Sequence, residues 1–293
     1  MSGAALLDRL SRLGLASSRA TARLFKGGFK NAVWLVGDSQ ERLVAKVYMA
    51  AADDDNPYYP NHPADEALAL RHLAGTGLAP DFVAWFPESV EPAMLVYRFV
   101  DGPTWSDGIG AAARLIAAVH GVDPPGGLRR VAATPTDIAA HGDAMLARAV
   151  DDAGLVRLRP GASDDPPRRL ALIHTDCGPG NIVMAKDGPR LIDWQCPALG
   201  DPAEDIACFL SPAMMTLYRR PPHDEDDAAA FLAAYGAGEA VERYRRHAPA
   251  FHWRIAAYCA YRTKVLGEAD PETASLYAQA LAAETTLLES LAT

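Results

Sequence analysis

The most constraining stretch of the chain runs from Leu170 to Gln195. A short apolar run, Leu170 to Ile173, leads into His174-Thr175-Asp176, then Gly178-Pro179-Gly180, then Asn181. A second apolar run, Pro189 to Ile192, ends in Asp193-Trp194-Gln195. Glycine and proline at 178–180 predict a tight turn that returns Asn181 toward Asp176. Two carboxylates and an amide are thereby fixed on loops flanked by apolar segments. Magnesium favours such oxygen donors. Phosphoryl transfer asks a protein mainly for positioning and charge neutralisation. Asp176 is therefore the candidate catalytic residue, orienting a hydroxyl and accepting its proton. Asn181 and Asp193 are the candidate ligands for Mg2+. His174 reads as support for the loop. A hydrolytic metal centre built on His174, Asp176 and Asp193 draws on the same residues, but it leaves the N-terminal half without a role.

That half has its own pattern. Leucines between Leu6 and Leu15, with Asp8, Arg9 and Arg12, predict an amphipathic first helix rather than a signal peptide. Val33 to Val36 and Leu43 to Tyr48 read as strands, and Gly37-Asp38-Ser39 between them predicts a hairpin. Before the hairpin stands Gly27-Gly28-Phe29-Lys30-Asn31, where two glycines let backbone amides approach a phosphate. Lys46 lies on the second strand. The polar, proline-rich stretch from Ala51 to Pro63 reads as a loop, and a helix follows over Glu66 to Leu73 with Asp65 and Glu66 at its start. Phe82 to Phe86 and Ala93 to Val100 read as further strands, closed by Asp101-Gly102-Pro103. Beyond this break the pattern turns helical: Ala111 to His120, Ala139 to Val150, Asp226 to Tyr235, Ala240 to His247, Ala248 to Leu266 and Pro271 to Leu291. The expected class is α+β, with a strand-rich part at 1–100 and a mainly helical part at 101–293.

Together these motifs resemble the aminoglycoside phosphotransferase and choline kinase superfamily, relatives of the protein kinases. The likeness rests on His174-x-Asp176, Pro179-Gly180-Asn181, Asp193-Trp194-Gln195 and Gly200-Asp201-Pro202-Ala203-Glu204-Asp205-Ile206-Ala207. It implies a bilobal protein-kinase-like fold with a small antiparallel N-lobe. It implies ATP as co-substrate, Mg2+, and a small-molecule hydroxyl as acceptor, such as an amino alcohol or an aminoglycoside. In such a fold Gly27 and Gly28 belong to the phosphate loop. Lys46 binds the α- and β-phosphates, and Glu66 pairs with it. Tyr97 lies behind the adenine, which the backbones of Arg98 and Val100 read. Asp205 braces the catalytic loop. Three departures stand out: Thr175 where glycine is common, Cys177 where an apolar residue is usual, and Gln195 where glutamate is frequent. The alternative that the same residues allow is a nucleotide-binding pseudokinase, or a ligand-binding protein without transfer activity. A kinase acting on proteins is disfavoured, because no long activation segment follows Asp193.

The formal net charge of −9 argues against nucleic acid as the main partner. No apolar run approaches the length of a membrane span. Cys177, Cys196, Cys208 and Cys259 are scattered and form no CxxC pair, as expected of free thiols in a cytoplasmic protein. The acidic run Asp224 to Asp227 reads as a solvated helix start. Trp253, Tyr258 and Tyr261 read as a core stripe rather than an aromatic cage.

Overall fold

The computed structural model describes residues 1–27, 31–38, 41–49, 56–149 and 153–292. Its first elements are α1 (Gly3–Arg12), β1 (Thr21–Gly27), β2 (Asn31–Gly37), β3 (Arg42–Tyr48), α2 (Pro63–Leu73), β4 (Phe82–Phe86) and β5 (Met94–Arg98). Next come α3 (Ile109–Gly121), α4 (Pro135–Leu146), α5 (Ala153–Val156), β6 (Ala171–Ile173), a 3-10 turn (Pro179–Asn181), β7 (Ile182–Ala185), β8 (Gly188–Leu191) and β9 (Ala198–Gly200). The chain ends in α6 (Ala203–Leu210), α7 (Pro212–Leu217), α8 (Glu225–Tyr235), α9 (Glu239–Leu266) and α10 (Pro271–Leu291). Two compact units result: 1–103 with 183–196, and 104–182 with 197–293.

The first unit is built on a five-stranded antiparallel sheet in the order β1-β2-β3-β5-β4. Alternation along β2 and β3 sends Trp34, Val36, Leu43, Ala45 and Val47 into a core shared with Met94, Val96 and the α1 leucines Leu6 and Leu10. That face covers the apolar stripe of α1 and explains why a ten-residue helix is stable here. The β7–β8 hairpin is tied in by backbone bonds, Met184 N–H to Pro103 O (2.9 Å) and Leu191 N–H to Leu78 O (2.8 Å). β1 was not foreseen in the sequence. Its register shifts between Leu24 and Lys26, and Leu24 and Phe25 are exposed, so the alternation that marks a strand is broken there.

The second unit is mainly helical. α4, α6 and α9 meet around Ile138, Ala203, Ala207, Ala250 and Phe251. A neighbouring cluster joins Ala139, Trp253, Ala256, Ala260 and Leu288. The two helices expected at 240–247 and 248–266 are one 28-residue helix, α9, with Pro249 inside it. Trp253, Tyr258 and Tyr261 are buried, as a core stripe requires. Asp224 caps α8 by accepting from Asp227 N–H at 2.8 Å, which makes the acidic run a helix start. All four cysteines are buried free thiols. Among the described residues, no helix is long and apolar enough to cross a membrane.

Candidate active site

In the first unit the chemistry gathers on β3. Lys46 is 1% exposed and faces the buried side of α2. Its Nζ donates to Glu66 Oε1 (3.0 Å), Glu66 Oε2 (2.8 Å) and Asp193 Oδ1 (2.7 Å). Glu66 sits on the same face of α2 as Leu70 and Leu73, one turn and two turns on, so helical spacing itself buries it. Asp65 is turned away from that face and is only half-buried. Tyr48 O–H donates to Glu66 Oε2 at 2.7 Å and satisfies the carboxylate further.

Charges this deep are stable only when paired. Burial pulls the Lys46 pKa down, but the Asp193 and Glu66 carboxylates outweigh it and hold the ammonium protonated far above the ordinary lysine value. Burial pushes the Glu66 carboxyl up, opposed by Lys46. The Tyr97 hydroxyl is raised by burial too, with Lys46 opposing and Glu66 and Asp193 adding, so it lies in the field of the same cluster. Asp193 itself adopts a left-handed backbone, φ 59°, and its side chain keeps about a third of its exposure. Gln195 is anchored beside it: its Oε1 accepts from Asn31 Nδ2 (3.3 Å), and its carbonyl accepts from His62 N–H (3.2 Å).

Gly27 ends β1, whereas Gly28, with Phe29 and Lys30, lies outside the described residues. Ser39 and Asp53 to Asp55 lie outside them too. The Arg98 N–H donates to Asp81 O at 2.9 Å, so any base reading by Arg98 falls to its carbonyl. Arg98 and Val100 line a cavity of about 520 Å³ with Asp81, Met184 and Arg190, all in the first unit. Lys46, Glu66 and Tyr97 do not line it.

In the second unit the organising group is Asp205, fully buried on α6. Its carboxylate accepts from His174 N–H (Oδ2, 2.8 Å), Thr175 N–H (Oδ1, 2.8 Å) and His120 Nε2 (Oδ2, 3.0 Å). Burial alone would raise this carboxyl, but the His120 bond and the amide and charge of His174 hold it below the ordinary aspartate range. His120 is fixed in turn by Tyr235 O–H, 2.7 Å from Nδ1.

The clamp holds a strained backbone. Thr175 has φ 66°, an outlier for a β-branched residue that costs about 1–3 kcal/mol. This is the position where glycine was expected, and the left-handed conformation is the physical reason for that preference. His174 is buried, and its Nδ1 accepts from Asp176 N–H at 3.3 Å. Asn181 Nδ2 donates to Asp176 O (2.7 Å) and Asp176 Oδ2 (3.1 Å). Both bonds are made by its nitrogen and leave Oδ1 outside them. An amide oxygen at Asn181 and a partly exposed carboxylate at Asp193 are hard donors of the kind magnesium takes. Burial raises the Cys177 thiol, which keeps it protonated and unreactive beside Asp205.

Tyr48 and His120 were not singled out in the sequence. Tyr48 could have been, since a strand places it on the same face as Lys46 two residues earlier. His120 carried only its place in the last turn of a helix.

Residues 21–249 match the model of a family described as the phosphotransferase enzyme family. No curated protein matches the chain significantly. Solved structures share the fold over nearly the whole chain. A spectinomycin phosphotransferase in complex with ADP and spectinomycin superposes with TM-score 0.65 at 12% identity, covering 99% of this chain and 98% of its own. A candidate aminoglycoside phosphotransferase from Ralstonia eutropha gives 0.71 at 17% identity, covering 98% and 97%. A choline/ethanolamine kinase family protein from Mesorhizobium loti gives 0.65 at 17% identity, covering 97% and 94%. The antiparallel sheet followed by a helical unit is thus the protein-kinase-like phosphotransferase fold.

Proposed function

The chain belongs to the phosphotransferase enzyme family, and on that premise we propose that it moves the γ-phosphoryl group of ATP to a hydroxyl of a small amine-bearing molecule. The observation that carries this reading is the buried Lys46, held by both oxygens of Glu66 and by Asp193. By the family likeness, a strand lysine fixed in this way meets the phosphates of a nucleotide. Asp176 takes the proton of the acceptor hydroxyl, whose oxygen bonds to the γ-phosphorus as the bond to the ADP oxygen breaks. By the family likeness, Asn181 and Asp193 would hold a magnesium ion. When bound, it neutralises phosphate charge. Gly27, Gly28, Tyr97, Arg98 and Val100 serve the nucleotide, as the family likeness implies. Among the neighbours, one is named for spectinomycin and another for choline or ethanolamine. That supports an amino alcohol or an aminoglycoside as acceptor, and the net charge of −9 suits a cationic one.

The test is turnover of labelled ATP with magnesium against amino alcohols, aminoglycosides, sugars and an extracted metabolite pool. A labelled, amine-bearing product is expected. If magnesium–ATP raises the melting temperature over magnesium alone, yet no compound gains phosphate, the transfer reading fails. Nucleotide binding without transfer then replaces it.

A further inference from the structure

The glycines flanking Pro179 are not explained by turn geometry. Gly178 has φ −65°, and Gly180 is absent from the residues of positive φ. What excludes a side chain is a ring. A Cβ on Gly178 would stand 2.6 Å from Tyr218 Cε2, and one on Gly180 would stand 2.1 Å from Tyr218 Cε1. Real carbons do not approach so closely, so the Tyr218 ring lies directly against the bare backbone of both residues. Beneath it the turn closes through Asn181 N–H to Gly178 O at 2.9 Å.

We propose that Tyr218 is a positioning residue that clamps the 178–180 turn and thereby sets the placement of Asn181 and Asp176. The catalytic part of this proposal rests on the kinase reading above. The clamp itself rests on geometry.

The element that delivers Tyr218 is secured at both ends. At the start of α7, Ser211 Oγ accepts from Met214 N–H (3.1 Å) and donates to Glu284 Oε2 (2.7 Å). The same carboxylate oxygen accepts from Ala213 N–H (2.9 Å), and its partner oxygen meets His252 Nδ1 at 2.6 Å. Ser211, His252 and Glu284 are fully buried, and a carboxylate at a helix N-terminus suits the helix dipole. At the other end Tyr218 is the C-cap. Arg219 N–H bonds Thr216 O (2.8 Å) and Arg220 N–H bonds Met215 O (3.0 Å), the two bonds of a Schellman motif. The left-handed residue of that motif is usually glycine, but here it is Arg219, φ 57°. A strained arginine persists only where its surroundings over-determine it. The chain therefore fixes the direction in which Tyr218 leaves the helix. From the turn, the two bonds of Asn181 Nδ2 carry any displacement on to Asp176.

The experiment pairs Tyr218→Ala, Tyr218→Phe, Gly180→Ala and the double variant Gly180→Ala/Tyr218→Ala. Readouts are hydrogen–deuterium exchange and steady-state kinetics. In Tyr218→Ala, amides of 174–182 exchange faster while those of 43–48 in the first unit do not change. With an identified acceptor, kcat falls by about 10²-fold, the scale on which a 1 Å misplacement acts. Its kcat/KM for ATP falls in step. Tyr218→Phe keeps the ring and restores the slow exchange at 174–182. Gly180→Ala slows turnover in the native background but adds nothing to Tyr218→Ala, because the new methyl then has room. Should Tyr218→Ala unfold, Tyr218→Leu carries the same comparison. Unchanged exchange at 174–182 overturns the clamp, and faster exchange with unaltered kcat overturns the positioning role. If the native protein phosphorylates nothing, the kinase reading falls, and the exchange data still decide the clamp.

Discussion

Asp193 Oδ1 stands 2.7 Å from Lys46 Nζ, in a cluster where Glu66 already gives that ammonium two contacts. Two carboxylates face one ammonium, and of the two Asp193 is the partly exposed one. A carboxylate so placed is a hard donor of the kind magnesium takes.

Replacing that aspartate by its amide tests its role as a donor. Asp193→Asn should weaken magnesium–ATP binding and lower turnover by about 10²–10³-fold, the usual loss when one charge stabiliser is removed. Titration calorimetry of ATP with and without magnesium provides the check. A variant with native magnesium dependence would refute the ligand role.

Lys46→Met keeps the length of the side chain and deletes its charge. Glu66 is then left buried with the bond from Tyr48 O–H but without its counter-charge. Breaking such a pair costs about 3–5 kcal/mol. Urea unfolding should show a loss of this size, together with a higher ATP requirement or a lower turnover. A stability within experimental error of the native protein would show that the pair is not the anchor of β3 and α2.

Asp176→Asn should leave nucleotide affinity near the native value and lower turnover by about 10²–10⁴-fold, the range for loss of a general base. The comparison needs both numbers, from equilibrium binding and from initial rates. Full native turnover would remove Asp176 from the chemistry.

Asp205 should make the protein acid-sensitive in a defined window. Its carboxyl titrates below the ordinary value in the folded state. The stability it contributes is therefore fully present above the unfolded pKa of about 3.9 and is lost as pH falls through the lower folded value. Asp205→Asn should be less stable than the native protein at pH 7, since an amide nitrogen would face a backbone N–H. The gap should narrow below about pH 4. Urea titrations between pH 3 and 7 test this, and a gap that is constant with pH would contradict it.

The parts of the molecule legible in the sequence are those whose signals are local. Asp176, Asn181 and Asp193 lie within 18 residues of one another, and strand alternation marks Lys46. Glu66 stands out from Asp65 once the buried face of α2 is drawn. Long-range or irregular features stayed hidden. The bulge in β1 erases its alternation, and Pro249 suggests a helix end where packing carries α9 through. The ring of Tyr218 against Gly178 and Gly180 joins residues about 40 positions apart, and no spacing rule announces it. The turn expected at 178–180 is there, closed by Asn181 N–H to Gly178 O, but what bars a side chain from its two glycines is an aromatic ring, and the nearby residue with a left-handed backbone is Thr175.

The pairing of 183–196 with 1–103 has a consequence for biosynthesis. A ribosome delivers the sheet strands early, yet the hairpin and Asp193 that complete their unit emerge only when residue 196 of 293 has been made. Until then Lys46 has only Glu66 to neutralise it. The nascent first unit must wait, incomplete, through the synthesis of about 80 intervening residues. Vectorial folding is thus interrupted by the topology, and a polypeptide stopped at residue 103 would carry Lys46 and Glu66 without Asp193, the second carboxylate on that ammonium.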